Sequence, residues 1–386
     1  MPIDPDDRRI CTSIDVQPEP GGSPVSEPIA QTSLFTFPTY DALLAALGDE
    51  YRTTAYTRGR NPTVMVLEKK LAELERGESC KVLASGMAAI SATMLGLVRQ
   101  GEHILFANQV YGPALQLANH LRRFGVDHDH VVDCSTDSVR AMIKPDTRLL
   151  WLESPGTMTF QSADIAALAS IAKENGALTV MDNTWATPLF QKPLLHGVDL
   201  VVHSCSKYIG GHSDVVAGAV IGDDKVIEEI FYKAFLLNGA AIGPVDAWLT
   251  TRALRTLPVR MLQHEKNGLA LASFLEQHQR VARVNHPCFD PHPELVSRQL
   301  SGRSGLFSFE LQDAGFEKVR ELLNRLRVFR IGISWGGIES LAVSPNRGDN
   351  ADALRASGIP PGLVRLSAGQ EDADMLIADL DQALLQ

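Results

Sequence analysis

Between about residue 80 and residue 222, short apolar runs alternate with stretches of helical periodicity. "CKVLAS", "HILFA", "RLLWLE", "LTVMD" and "LVVHSCS" are apolar almost throughout, the pattern of strands buried on both faces. The intervals read as helices: the Ala-rich segment from Gly86, "GPALQLANHLRRFG" and "ADIAALASIAKENG". Strands and helices in turn predict an α/β domain with a mainly parallel sheet covered on both sides. Beyond "DDKVIEEIFYKAFLL" and "MLQHEKNGLALASFLEQHQ" the strict alternation stops. Strands such as "SGLFSFEL" and "LVRLSAGQ" then mix with the helical "FEKVRELLNRLRV" and "ADMLIADLDQALL", which predicts a smaller C-terminal α+β domain. The first 60 or so residues carry Pro, Gly and Thr with little periodicity and read as an extended arm. The expected division is 1–60, 61–256 and 257–386.

Composition narrows the class. With 386 residues, of which 45% are hydrophobic and 21% charged, the chain can bury a full core. A net charge of -10, with no long basic run, argues against a binder of nucleic-acid backbones. The N-terminus has acids and prolines where a signal peptide would be basic and then apolar. The longest apolar segment, Val82 to Val98, is interrupted by Ser, Thr and Gly, so a buried helix is expected and not a membrane span. A cytoplasmic protein follows as the expectation. Five cysteines, Cys11, Cys80, Cys134, Cys205 and Cys288, have neither C-x-x-C spacing nor a histidine cluster, and read as reduced thiols with no metal. Cys205 lies two residues before Lys207, where a redox role is conceivable; the favoured reading turns its side chain away from its neighbours.

Ligands of open α/β sheets bind outside the carboxyl ends of the strands, so the residues ending each strand carry the chemistry. "CKVLAS" ends at Ser85, Gly86 and Met87 and turns into a helix, whose free N–H groups suit a phosphate. "HILFANQVYGP" brings Tyr111, an aromatic able to stack on a ring, though a lone loop Tyr is more often surface. "LTVMD" ends at the carboxylate of Asp182, which taken alone would pass as a helix cap. "LVVHSCS" ends in Ser204 and Ser206, followed by Lys207, and a lysine in that position is usually a snorkelling surface residue. All fall on one edge of one sheet, and together they are the parts needed to hold pyridoxal phosphate. A partly desolvated lysine is nucleophilic and can condense with the cofactor aldehyde and carry protons. A carboxylate beside the pyridine nitrogen keeps it protonated, which makes the ring an electron sink.

In this order, "YTRGRNPT", "ASGMAAI", "VYGP", "ESPGT", "DNTWATP", "SKYIGGHSD", "TRALRTLPVR", "RSGLFSFEL", "SWGGIESL" and "VRLSAGQED" resemble the pyridoxal-phosphate enzymes of cysteine and methionine metabolism, which have the aspartate-aminotransferase-like fold. The resemblance implies that Tyr56 and Arg58 reach the cofactor phosphate of a neighbouring subunit. The arm would then wrap a partner, in a dimer with shared sites and usually a tetramer. It implies that Tyr111 stacks on the cofactor ring and accepts the substrate's amino proton. Arg365 would clamp the substrate α-carboxylate with its planar fork. Ser334, Trp335 and Tyr56 are the other residues expected near the substrate.

Within the family the signals diverge. Gly156-Thr157 in "ESPGT", Trp335 in "SWGG" and Pro113 after Tyr111 resemble bacterial cystathionine β-lyases, which makes cleavage of L-cystathionine to homocysteine, pyruvate and ammonia the first expectation. A γ-lyase or γ-synthase is the alternative. Ile333 and Ile338 stand where enteric β-lyases carry tyrosines. "FLLNGAAIGP" lacks a distal-pocket tyrosine, which leaves Phe235 and Asn238 as the nearest candidates. These positions are expected to line the distal pocket.

Overall fold

The computed structural model describes residues 3–14, 20–133 and 135–385; Cys134 lies outside them. Within these residues, seven strands form the larger sheet: β1 (Ser79–Leu83), β2 (His103–Ala107), β3 (Asp127–Val131), β4 (Thr147–Glu153), β5 (Leu178–Asp182), β6 (Leu200–His203) and β7 (Gly218–Gly222). Their order is β1-β7-β6-β5-β4-β2-β3. Only β7 runs against its neighbours β1 and β6; the remaining pairs are parallel, as the apolar runs predict. β3, "DHDHV", escapes a search for apolar runs. It is the outermost strand beside β2, where part of each side chain faces water, so polar residues are tolerated there.

Alternation sorts the strand residues onto two faces. Leu149 and Trp151 of β4 pack in one apolar cluster with Ile104, Phe106 and Val180, while Leu150 and Leu152 pack in another with Leu105 and Met181. Each fully buried Leu or Ile contributes roughly 1.5–3 kcal/mol relative to exposure. The helix Gly86–Leu97 belongs to the first cluster and has buried residues around most of its circumference. Such a setting explains its largely apolar sequence. No helix among the described residues is long and apolar enough to cross a membrane.

The second sheet contains β8 (Val281–Asn285), β9 (Leu306–Leu311), β10 (Arg330–Ile331), β11 (Leu341–Val343) and β12 (Leu363–Ser367), in the order β10-β11-β12-β9-β8. The helix Leu257–Glu276 shares an apolar cluster with this sheet and with the helix Pro62–Glu75 of the first. A single core therefore runs through both units and fixes their adjacent edges.

The first 60 residues are not uniformly extended, contrary to the sequence reading. Pro5–Thr12 and Tyr40–Gly48 are helices, capped by the Asp4 and Thr39 side chains. The first helix buries Ile10 and Cys11, and its buried Asp7 pairs with Lys192 at 2.8 Å and Arg76 at 2.9 Å. Lys70, itself buried, donates to the Ile10 and Ser13 carbonyls at 3.1 and 2.9 Å. Eight residues of helix are too short for a clear period in the sequence, and their stability comes from this docking.

Candidate active site

The carboxyl ends of β4, β5 and β6 and the first turn of the helix Gly86–Leu97 surround a cavity of about 550 Å³. Parallel pairing aligns these ends: Glu153 of β4 stands beside Asp182 of β5, and Asp182 beside Val202 of β6. The loop 333–335 and Arg365 close the opposite wall from the smaller unit.

One end of the cavity is built from backbone. Ser85 caps the helix by accepting from the Ala88 N–H at 3.0 Å, leaving the N–H groups of Gly86 and Met87 at the cavity wall. A Cβ on Gly86 would lie 2.8 Å from the Ser204 side chain, and one on Gly218 would lie 2.2 Å from the Ser85 carbonyl oxygen. Glycine at both positions lets the β6 and β7 ends approach the helix start closely enough to form a cradle. The Ser204 N–H donates to Thr184 Oγ1 at 2.8 Å, and Ser206 Oγ accepts from the Ala217 N–H at 3.0 Å. Both serines line the same end.

Lys207 follows within one turn. Its Nζ donates to Ser334 Oγ at 2.7 Å and lies 5.7 Å from the centre of the Trp335 ring. Burial, aided by the nearby Arg365 charge, holds this ammonium below the ordinary lysine range. The contact with loop 333–335 depends on Gly336, whose φ is +84° and where a Cβ would lie 2.7 Å from the Tyr208 nitrogen. Trp335 in turn meets Tyr208 edge to face at 5.3 Å. The Cys205 thiol is fully buried and pushed up to about 12 by that burial, which makes it an inert core group.

Across the cavity stand the acids. Asp182 Oδ1 accepts from the Thr184 N–H at 3.0 Å and from Thr184 Oγ1 at 2.5 Å. Burial pushes this carboxyl up, and the Thr184 hydrogen bonds and the His203 charge pull it back. Glu153 is pushed well up, by burial and then by Asp182, and its Oε1 accepts from the Tyr111 N–H at 2.5 Å. This bond fixes the start of the helix Gly112–Leu121 and with it the Tyr111 ring, which lines the cavity and is 45% exposed. Burial, then Asp182 and Glu153, raise the Tyr111 phenol, while Arg365 opposes them. Arg365 is buried on β12; its Nη2 donates to the Ile333 carbonyl at 2.8 Å, and burial lowers it to about 10.

Ten expected residues thus meet in one cavity. Tyr56 and Arg58 do not line it: they sit on a loop with the Arg58 guanidinium 5.6 Å from the half-exposed Tyr56 ring. Of the expected distal-pocket residues, Ile333 lines the cavity, whereas Ile338, Phe235 and Asn238 do not. Phe235 is buried, stacked on Phe231 at 5.5 Å beneath the Lys81 ammonium, which removes it from any pocket. Asn238 is exposed at the end of its short helix. Sequence reasoning passed over several polar residues of the wall, His203 and Ser213 among them. Glu153 ends an apolar run just as Asp182 does, a signal that was available. Thr184 and Glu339 carried none; Glu339 accepts from Ser213 Oγ at 2.6 Å.

A flexible amine below its usual range, a backbone cradle that a single Cβ would fill, and a buried carboxylate opposite fit pyridoxal phosphate in donor type and placement. The family model described as "Cys/Met metabolism PLP-dependent enzyme" matches residues 11–385. The chain belongs to this family. It is 39% identical over 375 residues to the L-methionine gamma-lyase of Pseudomonas putida, covering 95% of this chain and 94% of the relative. To the cystathionine gamma-synthase of Mycobacterium tuberculosis it is 39% identical over 374 residues, covering 95% and 94%. To the cystathionine gamma-lyase of Bacillus subtilis it is 37% identical over 367 residues, covering 93% and 94%. The crystal structure of metB from Corynebacterium glutamicum superposes with a TM-score of 0.90 at 32% identity, covering 99% of each chain. This family member is a pyridoxal-phosphate-dependent enzyme of cysteine and methionine metabolism with the fold the motifs imply.

Proposed function

We propose that this enzyme eliminates or replaces a substituent at Cγ of an amino acid such as methionine, cystathionine or an activated homoserine. Support for the position of attack comes from the relatives, which share 37–39% identity over nearly the whole chain and are named for γ-chemistry. Support for the chemistry itself comes chiefly from one observation: the Lys207 amine, Asp182 and Arg365 face a common cavity. When bound, pyridoxal phosphate supplies an aldehyde that condenses with amines and a ring that accepts the electron pair left at the substrate Cα.

The side chains then have distinct tasks. Arg365 spends one nitrogen on the Ile333 carbonyl, and the rest of its fork is free to hold the α-carboxylate. Lys207 removes the Cα proton, its lowered pKa leaving more of it as the free amine able to act as base, and for chemistry at Cγ it serves the Cβ proton as well. Ser334 accepts a hydrogen bond from Lys207 and thereby aims the amine. Asp182 would face the ring nitrogen, the Gly86–Met87 turn with Ser204 and Ser206 would hold the phosphate, and Tyr111 would cover the ring and receive the substrate's amino proton. Tyr56 and Arg58 serve the phosphate of a second copy, with residues 1–60 contacting that copy, 61–256 carrying the cofactor and 257–386 completing the substrate wall. A dimer with shared sites follows from these roles, and pairing of two such dimers into a tetramer is proposed with it.

Cystathionine β-lyase remains the second reading, favoured by Trp335 and Thr157 in the cavity wall. Purified holoenzyme incubated with cystathionine and with methionine decides between them. A four-carbon 2-oxo acid, or γ-replacement product when a thiol is added, is the expected result; pyruvate alone from cystathionine would overturn γ-chemistry.

A further inference from the structure

Behind Asp182 lies a second polar cluster that none of the tasks above employs. Asp182 pairs with Val202, so the next residue, His203, turns to the opposite face of the sheet, toward the helix Pro62–Glu75. There His203 Nε2 lies 2.6 Å from Glu75 Oε1, and both side chains are fully buried. The same Glu75 oxygen accepts from Asn183 Nδ2 at 2.7 Å, and that amide also donates to the Gln191 carbonyl at 3.1 Å. Among the described residues His203 Nδ1 has no hydrogen-bond partner, although the residue lines the cofactor cavity beside Asp182.

A leucine or methionine would fill the space of Glu75 without desolvating a charge, so packing does not account for a buried carboxylate against a buried imidazole. The geometry accounts for it through its partners: one Glu75 oxygen joins Asn183, which follows Asp182, to His203, which precedes Ser204. A carboxylate at hydrogen-bond distance from one ring nitrogen fixes the orientation of the imidazole, as the acid of a catalytic triad does. The His203 charge acts on Asp182 in the direction that favours its ionised form.

We propose that Glu75 and His203 are positioning residues for Asp182: the buried Glu75 carboxylate ties Asn183 to His203, and so holds the strand ends that carry Asp182 and Ser204 in place against the cofactor. The inference rests on the role given to Asp182 above.

The test is a double-mutant cycle on the holoenzyme, with kcat, KM and cofactor dissociation as readouts. Glu75→Gln keeps shape and a hydrogen-bond acceptor while removing the charge. In the wild-type background it is expected to lower kcat about tenfold, with KM for the amino-acid substrate changed by less than about twofold. In an Asp182→Asn background the same substitution is expected to cost less than about twofold, because the group it acts through is gone. Equal factors in the two backgrounds, or an undiminished kcat in Glu75→Gln alone, would overturn the proposal. If Glu75→Gln does not yield folded protein, His203→Asn run through the same cycle carries the same expectations. Failure of the underlying role is distinguishable: Asp182→Asn would then keep both its cofactor and its kcat, whereas failure of the present inference alone leaves Asp182→Asn impaired and additive with Glu75→Gln.

Discussion

Lys207 shows how far one residue's chemistry follows from its neighbours. Its identity and its position after an apolar strand are visible in the sequence, but its low proton affinity comes from burial and from Arg365, which lies 158 positions further along and reaches the site only through the second sheet. Because the folded pKa is lowered, a larger fraction of the amine is neutral at any pH below the ordinary lysine range. Acylation of Lys207 in cofactor-free protein should therefore become fast at lower pH than that of surface lysines. An Arg365→Gln variant should move the profile back upward, as peptide mapping of labelled protein would report. Glu153 gives the opposite case. Its folded carboxyl is raised above its unfolded value, so the stability it contributes is present below the ordinary glutamate range, about pH 4.3, and is lost as pH rises through the folded value. The Glu153→Gln variant should gain on the wild type in urea unfolding as pH rises above the ordinary glutamate range, because it cannot ionise; a difference that stays constant with pH would show that Glu153 does not titrate there.

At the scale of elements, the site is a set of strand and helix ends held at close range by glycines. Gly218 admits the Ser85 carbonyl where a Cβ would meet it at 2.2 Å, and both partners are backbone. Gly218→Ala is expected to cost about 1–3 kcal/mol and to weaken cofactor retention more than it lowers kcat of the saturated enzyme. Gly336→Ala adds a strained φ to a clash with the turn that carries Lys207, so it should displace the amine and lower kcat. Cofactor absorbance on dialysis separates these two outcomes. Neither requirement is visible locally, since a glycine in "AGA" or "WGG" reads as an ordinary turn or packing residue until its neighbour from elsewhere in the chain is known.

For the whole molecule, the N-terminal helix is tied down by charge as well as by packing. Removing Asp7 would strand Lys192 and Arg76 beside a buried surface, and Asp7→Ala should destabilise the protein by about 3 kcal/mol in denaturant melts. Assembly is tested separately: mixing subunits bearing Lys207→Ala with subunits bearing Arg58→Ala should restore part of the activity, and no recovery would remove the shared-site role of Tyr56 and Arg58. By itself the sequence determined the α/β class, the edge of the sheet that bears the chemistry, and most of the residues that meet there, because apolar runs set strand burial and strands end where their polar residues begin. The same local signals left other features undetermined. The Glu75–His203 contact, the glycine cradle, the docked N-terminal helix and the retirement of Phe235 into the core all join residues far apart in the chain. Tertiary structure alone decided them, because a buried side chain's charge, reach and company depend on which distant elements pack against it.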